Sequence, residues 1–181
     1  MNFICSQLKT LQHKIKILDT TMHKPKRDVT NNLRSLIIDH QTIIEYTQQY
    51  NCDVNIILLI DFILLSLQIA SIMFQLITTD LSIMVVFLMS LFGLMVMQIF
   101  CYSWYANEIM QQSLGIADAI AEHNWYEQDV SIRKTLLMMM MRAQKPLTLT
   151  VGPFYAMTNS TSITVLKAAY SYVALMTRKR E

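Results

Sequence analysis

The sequence is poor in turn-forming residues and poor in charge. Its 181 residues include three glycines and three prolines. That scarcity disfavours a sheet-rich fold with many tight turns and suits long helices. Charged residues make up 15%, against roughly 25% in an average soluble domain. A formal net charge of +2 singles out neither nucleic acid nor an acidic partner. The three cysteines, Cys5, Cys52 and Cys101, cannot all pair and share no short metal-ligand spacing. They read as free thiols, with no disulfide framework and no metal site. The opening stretch "MNFICSQLKTLQHKIKILDTTMHKPKRD" lacks the apolar core and cleavage site of a secretory signal. The histidines His13, His23, His40 and His123 are scattered. There is no Gly-rich phosphate loop, no nucleophile elbow and no zinc-protease helix motif. The expectation is a protein that is not an enzyme and needs no cofactor.

What is present is apolar sequence in blocks. Hydrophobic residues reach 53%, with fourteen methionines. Residues 54–77, "VNIILLIDFILLSLQIASIMFQLI", and 83–105, "IMVVFLMSLFGLMVMQIFCYSWY", each meet the length of about 20 apolar residues that a bilayer requires. The short "TTDLS" between them makes them antiparallel neighbours. A third, less apolar span is expected over 147–176, entered through a break at Pro146 and Gly152-Pro153. The alternative, a soluble bundle, needs a polar face on each helix, and "IMVVFLMSLFGLMVM" has none. The fold class read here is therefore an all-α membrane protein with three transmembrane helices and amphipathic cytoplasmic helices.

Residues 1–53 carry two amphipathic helices. The first places Phe3, Leu8, Leu11, Ile15 and Leu18 on one side; the second, from Val29 to Tyr50, uses Leu33, Leu36, Ile37, Ile43, Ile44 and Tyr50, with Thr30 and Asn31 as caps. A basic turn, "HKPKRD", separates them. Within 106–145, residues 107–122 continue the preceding helix, "HNWYEQD" forms a turn and Ser131 caps a last short helix. Seven basic residues precede position 54, the hairpin has none, and Arg133, Lys134, Arg142 and Lys145 lie in the later polar segment. By the positive-inside rule the N-terminus and that segment are cytoplasmic. The tail 177–181 is then extracellular, although its Arg178, Lys179 and Arg180 oppose this.

Polar residues within the spans mark candidate sites. Asp61, Gln68 and Gln75 recur at seven-residue steps and form one seam for protein or water. Asp61 also fits a plain solvated position near the inner interface. The outer halves of the first two spans, around 69–76 and 84–91, could line a pocket for a small apolar ligand. Stepping along the last span from Thr161 gives Thr164, Ala168, Ser171 and Leu175, with Lys179 a turn later. Small hydroxylated faces let helices pack closely in lipid. Lys167, beside this stripe, instead favours a water-lined path narrowing at Leu175.

Four stretches carry a resemblance: "LRSLIIDHQTIIEYTQQYN", "YSWYANEIMQQSLGIADAIAEHNWYEQD", "RKTLLMMMMRAQKPLTLTVGPF" and "ITVLKAAYSYVALM". Together they resemble the C-terminal half of the insect odorant receptors, seven-span chemosensory receptors. The resemblance implies spans five to seven, with four earlier spans outside this sequence. It implies a tetrameric, odorant-gated, nonselective cation channel in the plasma membrane of olfactory neurons. In that assembly a tuning receptor such as this one joins a coreceptor. The split seventh span would comprise a cytoplasmic half, 131–145, and a membrane half, 154–176. The first half is the intersubunit anchor, with Lys134, Leu137, Met141 and Gln144 as candidate contacts. The second lines the pore, with Leu175 at the gate and Lys179 near the outer mouth. A non-channel membrane scaffold or a gustatory-type relative is the alternative.

Overall fold

A computed structural model describes residues 1–20, 26–78, 83–122, 124–152 and 155–178. The elements are α1 (Asn2–Thr20), α2 (Lys26–Thr78), α3 (Ile83–Ala121), a 3-10 turn (Trp125–Glu127), α4 (Val130–Ala143), β1 (Thr150–Val151), β2 (Tyr155–Ala156) and α5 (Asn159–Arg178). The chain forms two compact units, residues 1–51 with 108–148, and residues 52–107 with 149–181. Helices α2 and α3 contribute to both.

The first unit is a bundle of α1, the first half of α2, the second half of α3, and α4. Each helix buries a stripe at alternating steps of four and three. In α1 it is Ile4, Leu8, Leu11 and Ile15; in α2 it is Val29, Leu33, Leu36, His40, Ile43 and Thr47. The others are Ile109, Ser113, Ile116 and Ile120 in α3, and Ile132, Leu136, Met139 and Ala143 in α4. This spacing keeps one helix face inward. Each buried Ile or Leu contributes about 1.5–3 kcal/mol relative to exposure. Between the stripes, Gln12 Nε2 donates to Gln112 O at 2.7 Å, and Lys9, Lys14 and Lys16 pair with Glu108, Asp39 and Glu122. Lys9, with Gln112 as a second donor, holds the Glu108 carboxyl below its ordinary value. Burial pushes the Cys5 thiol up, so Cys5 packs as a small protonated hydrophobe.

Several boundaries differ from the sequence expectation. Phe3 is exposed, stacked edge-on against Tyr46 at 5.6 Å, and Ile4 takes its place in the core. Helix α2 is already formed at Lys26, so Thr30 and Asn31 lie inside it and are not caps. Lys26, Arg27 and Asp28 belong to α2 and not to a basic turn; the rest of that turn, 23–25, lies outside the described residues, as do 79–82 of the short hairpin and His123. The cap of α4 is Asp129, whose Oδ1 accepts from Val130 N at 2.8 Å, two residues before Ser131. The run of 107–122 on from the second span is observed, since α3 continues to Ala121.

The second unit joins the apolar halves of α2 and α3 with the strand pair and α5. Leu58, Phe62, Leu65, Ile69 and Ile72 continue the stripe of α2, and Phe62 meets Tyr102 with ring centroids 6.4 Å apart. Among the described residues two helices, α2 and α3, are long and apolar enough to cross a membrane. Their apolar windows are only 33% and 11% buried. Helices at the core of a soluble protein would be mostly covered, and these are not. The expected third span is not among them. Residues 147–149 and 157–158 are irregular, 150–151 and 155–156 are short strands, and the helix starts only at Asn159. The 20 residues of α5 include Lys167 and several hydroxyls, which lower its apolar character.

His40 is the one ionisable side chain in the α2 stripe, at 5% exposure. Burial lowers its pKa from the ordinary 6.5, and nearby Arg142 lowers it further. A depressed folded-state value means that the unfolded chain binds protons first as pH falls. The His40 contribution is therefore intact above about pH 6.5 and is lost progressively as pH falls below it, towards the folded value. We predict that the thermal midpoint of the detergent-solubilised protein declines from pH 7 toward pH 5.5, and that His40→Leu flattens the decline. An equal decline in both proteins would contradict the assignment.

Candidate functional site

The candidate site begins with the segment that delivers α5. Ser113 Oγ donates to Met110 O at 2.8 Å and accepts from Leu147 N at 2.9 Å, so the chain beyond α4 is gripped directly after Pro146. In the second unit, Thr150 pairs with Ala156 and Val151 with Tyr155, antiparallel, and Met157 N donates to Leu149 O at 2.7 Å. Leu149, Val151 and Met157 are buried. Gly152 has φ 61°, the left-handed region that side chains disfavour. Its N–H donates to Asn55 O in α2 at 3.0 Å. A Cβ there would lie 2.9 Å from Leu59 Cδ2. The glycine is needed both for the turn and for this close approach.

The base of α5 is then fixed by a hydroxyl pair. Ser162 and Ser103 are each 0% exposed, and their Oγ atoms lie 2.6 Å apart. At 100° per residue, Thr164, Ala168, Ser171 and Leu175 lie about 180–240° around the helix from Ser162. The stripe thus occupies the side opposite the α3 contact. Thr164, Ala168 and Ser171 are exposed, as is Lys167. Thr164 Oγ1 donates to Ser160 O at 3.0 Å and Ser171 Oγ to Lys167 O at 2.9 Å. With both donors used within the helix, the hydroxyls offer acceptor lone pairs outward. The side chains of Thr161 and Leu175, and all of Lys179, lie outside the described residues.

The other expected site residues sort clearly. Gln68 and Gln75 are exposed on α2 and Asp61 is half-buried, so the seam lies off the helix's buried stripe. Lys134, Leu137, Met141 and Gln144 all face outward from α4 and its C-terminus. Between α2 and α4 runs a groove of about 630 Å³, lined by Ile37, His40, Ile44, Met138, Met139 and Arg142 among others. Sequence reasoning missed His40 as a core residue, the Ser103–Ser162 pair and the Gly152–Asn55 contact. The first was findable, because position 40 falls in the four-three register. The other two depend on which helices meet.

Two exposed apolar helices, a polar-sided bundle and a hydroxyl-bearing helix turned outward define an α-helical membrane protein. The sequence model described as "7tm Odorant receptor" matches residues 1–170. The chain belongs to the odorant receptor family. It is 34% identical over 173 residues to Odorant receptor 10 of Aedes albopictus, an alignment covering 95% of this chain and 46% of that protein. It is 32% identical over 146 residues to Odorant receptor Or2 of Anopheles gambiae, covering 81% and 39%. In fold it matches the insect olfactory receptor OR5 of Machilis hrabei, solved with eugenol, at a TM-score of 0.80 and 18% identity, over 97% of this chain and 45% of that one. The chain thus spans less than half the length of these relatives.

Because Gly152 sets both the turn and the approach to α2, we predict that Gly152→Ala destabilises the second unit by about 1–2 kcal/mol, the cost of a left-handed residue with a side chain. A fall of several degrees in the thermal midpoint of the detergent-solubilised protein would register it. An unchanged midpoint would show that the turn is not constrained.

Proposed function

We propose that this chain forms the anchor and pore-side part of a tuning subunit in an odorant-gated, nonselective cation channel. The subunit works with a coreceptor in a heterotetramer, in the plasma membrane of olfactory sensory neurons. Its membership of the odorant receptor family supports the receptor role. The observation that carries the channel reading is the placement of Thr164, Ala168 and Ser171. They are exposed on the side of α5 opposite its buried contact with α3. A small, hydroxylated face turned away from its own subunit suits a water-filled axis shared by several subunits. Helix α5 then serves as the third membrane crossing, with its polar side spared from lipid.

In this reading Thr161 and Lys179 sit at the two ends of the permeation path and Leu175 forms its apolar constriction. The first unit is cytoplasmic, and Lys134, Leu137, Met141 and Gln144 meet neighbouring subunits. Lipid would leave this outward stripe on α4, with Leu137 and Met141 exposed, no better placed than water would; a protein neighbour suits its mixed character. Asp61, Gln68 and Gln75 face other spans of the intact receptor. The ligand is a small volatile organic molecule, the chemical kind that eugenol represents in the solved relative. Its binding shifts the closed–open balance by the ratio of its affinities for the two states.

Two outcomes are expected when the receptor subunit is co-expressed with a coreceptor. Cysteines replacing Thr164, Ala168 and Ser171 react with hydrophilic thiol reagents and the agonist current falls, whereas cysteines at exposed Ile163 and Tyr170 do not respond. Leu175→Ala raises the agonist-free current severalfold. Inert cysteines at all three stripe positions, with agonist applied, would remove α5 from the permeation path.

A further inference from the structure

The pairing of Ser103 with Ser162 has a chemistry suited to more than packing. Both hydroxyls are fully buried, and Ser162 Oγ also lies 3.5 Å from Ile99 O. Ser162 stands in the first turn of α5, which begins at Asn159. Thr158 O and Asn159 O lie four and three residues back, within reach of a serine hydroxyl, yet the Ser162 hydroxyl is turned away from them. It takes its partner from α3 instead. Ser103 is placed differently. Ile99 lies one turn before it on the same helix, and a serine within a helix readily turns its hydroxyl to that carbonyl. When α5 withdraws, Ser103 can bond its own helix and is not stranded. Ser162 likewise has the carbonyls of its own first turn, so the contact is releasable, unlike a buried pair in which both groups lose their partners.

The geometry couples this contact to the stripe. Thr164, Ala168 and Ser171 lie about 180–240° around α5 from Ser162. Moving α5 off α3 advances the stripe into the space it faces, and seating α5 on α3 draws it back. Building on the reading of α5 as the pore helix, we propose that Ser103 and Ser162 form a releasable catch. It is closed when the permeation path is wide and broken when the path is narrow. Both are positioning residues, since neither touches the permeating ion.

The test uses the receptor subunit co-expressed with a coreceptor, with surface labelling to equalise expression. Ser162→Ala and Ser103→Ala should each move the agonist concentration–response curve about fivefold to higher concentration and lower the agonist-free current. The double variant should shift it no further than one of them alone, because the two act as a unit. As a second measurement, a Ser103→Cys, Ser162→Cys pair should form a disulfide faster with agonist present than without. Once oxidised it should hold current after agonist is washed out, until a reductant is added. A merely structural contact would cross-link at the same rate in both conditions. Wild-type current with unshifted alanine curves and agonist-independent cross-linking would overturn the catch and leave the channel reading intact. An absence of any agonist current in the wild-type complex would overturn both.

Discussion

One constraint organises the first unit: four helices place side chains inward at alternating steps of four and three. The rows Ile4–Ile15, Val29–Thr47, Ile109–Ile120 and Ile132–Ala143 all obey it. A shift of a single residue in any helix would turn its whole row about 100° away from the shared interior. Two polar members of the rows, Thr47 and Ser113, bond to carbonyls of their own helices, which lets the register persist through them. Thr47 donates to Ile43 O at 2.7 Å, and Ser113 bonds both its own helix and the backbone of Leu147. Through Ser113 the register also determines where the chain leaves α4 for the strands and α5.

The long helices set the second scale. At 1.5 Å per residue, the 53 residues of α2 extend about 80 Å. A bilayer core is about 30 Å thick, so more than half of α2 must stand in water or against protein. The residues divide accordingly. The half with His40, Thr47, Asp39 and Glu45 lies in the polar-sided unit, and the half with Ile56, Ile57, Ile60, Ile63 and Leu64 exposes a greasy surface. The same backbone hydrogen bonding serves both environments, since a helix satisfies its own amides in either.

Much of this was legible in the sequence. The two apolar runs, the extension of α3 past them and the short helix before the last segment all follow from runs and periods that local sequence carries. The core rows were legible only in part, because Phe3 and Ile4 are equally apolar and their neighbours on α2 decide which turns inward. His40 was overlooked because a hydrophobicity count skips a histidine, even one in register. The strands at 150–151 and 155–156 were absorbed into an expected helix. Threonines and valines there suit strands, and Gly152 takes a conformation that a helix excludes. Stepping that outlines Thr164, Ala168 and Ser171 on α5 uses local sequence alone, whereas the Ser103–Ser162 pair depends on a helix 59 residues away in sequence.

The lysines of α1 carry a last consequence. Lys9, Lys14 and Lys16 are more than half exposed, and solvent screens such ion pairs so that they contribute little to stability. They add little adhesion beyond the apolar row beside them. What they supply is polarity of alignment: Lys9 with Glu108, Gln12 with Gln112 and Lys16 with Glu122 run in the same order along α1 and α3. An amphipathic cylinder could bury its oily side equally well upside down. These paired ends act as an arrow drawn on it, and the inverted docking would bring the matched charges out of step.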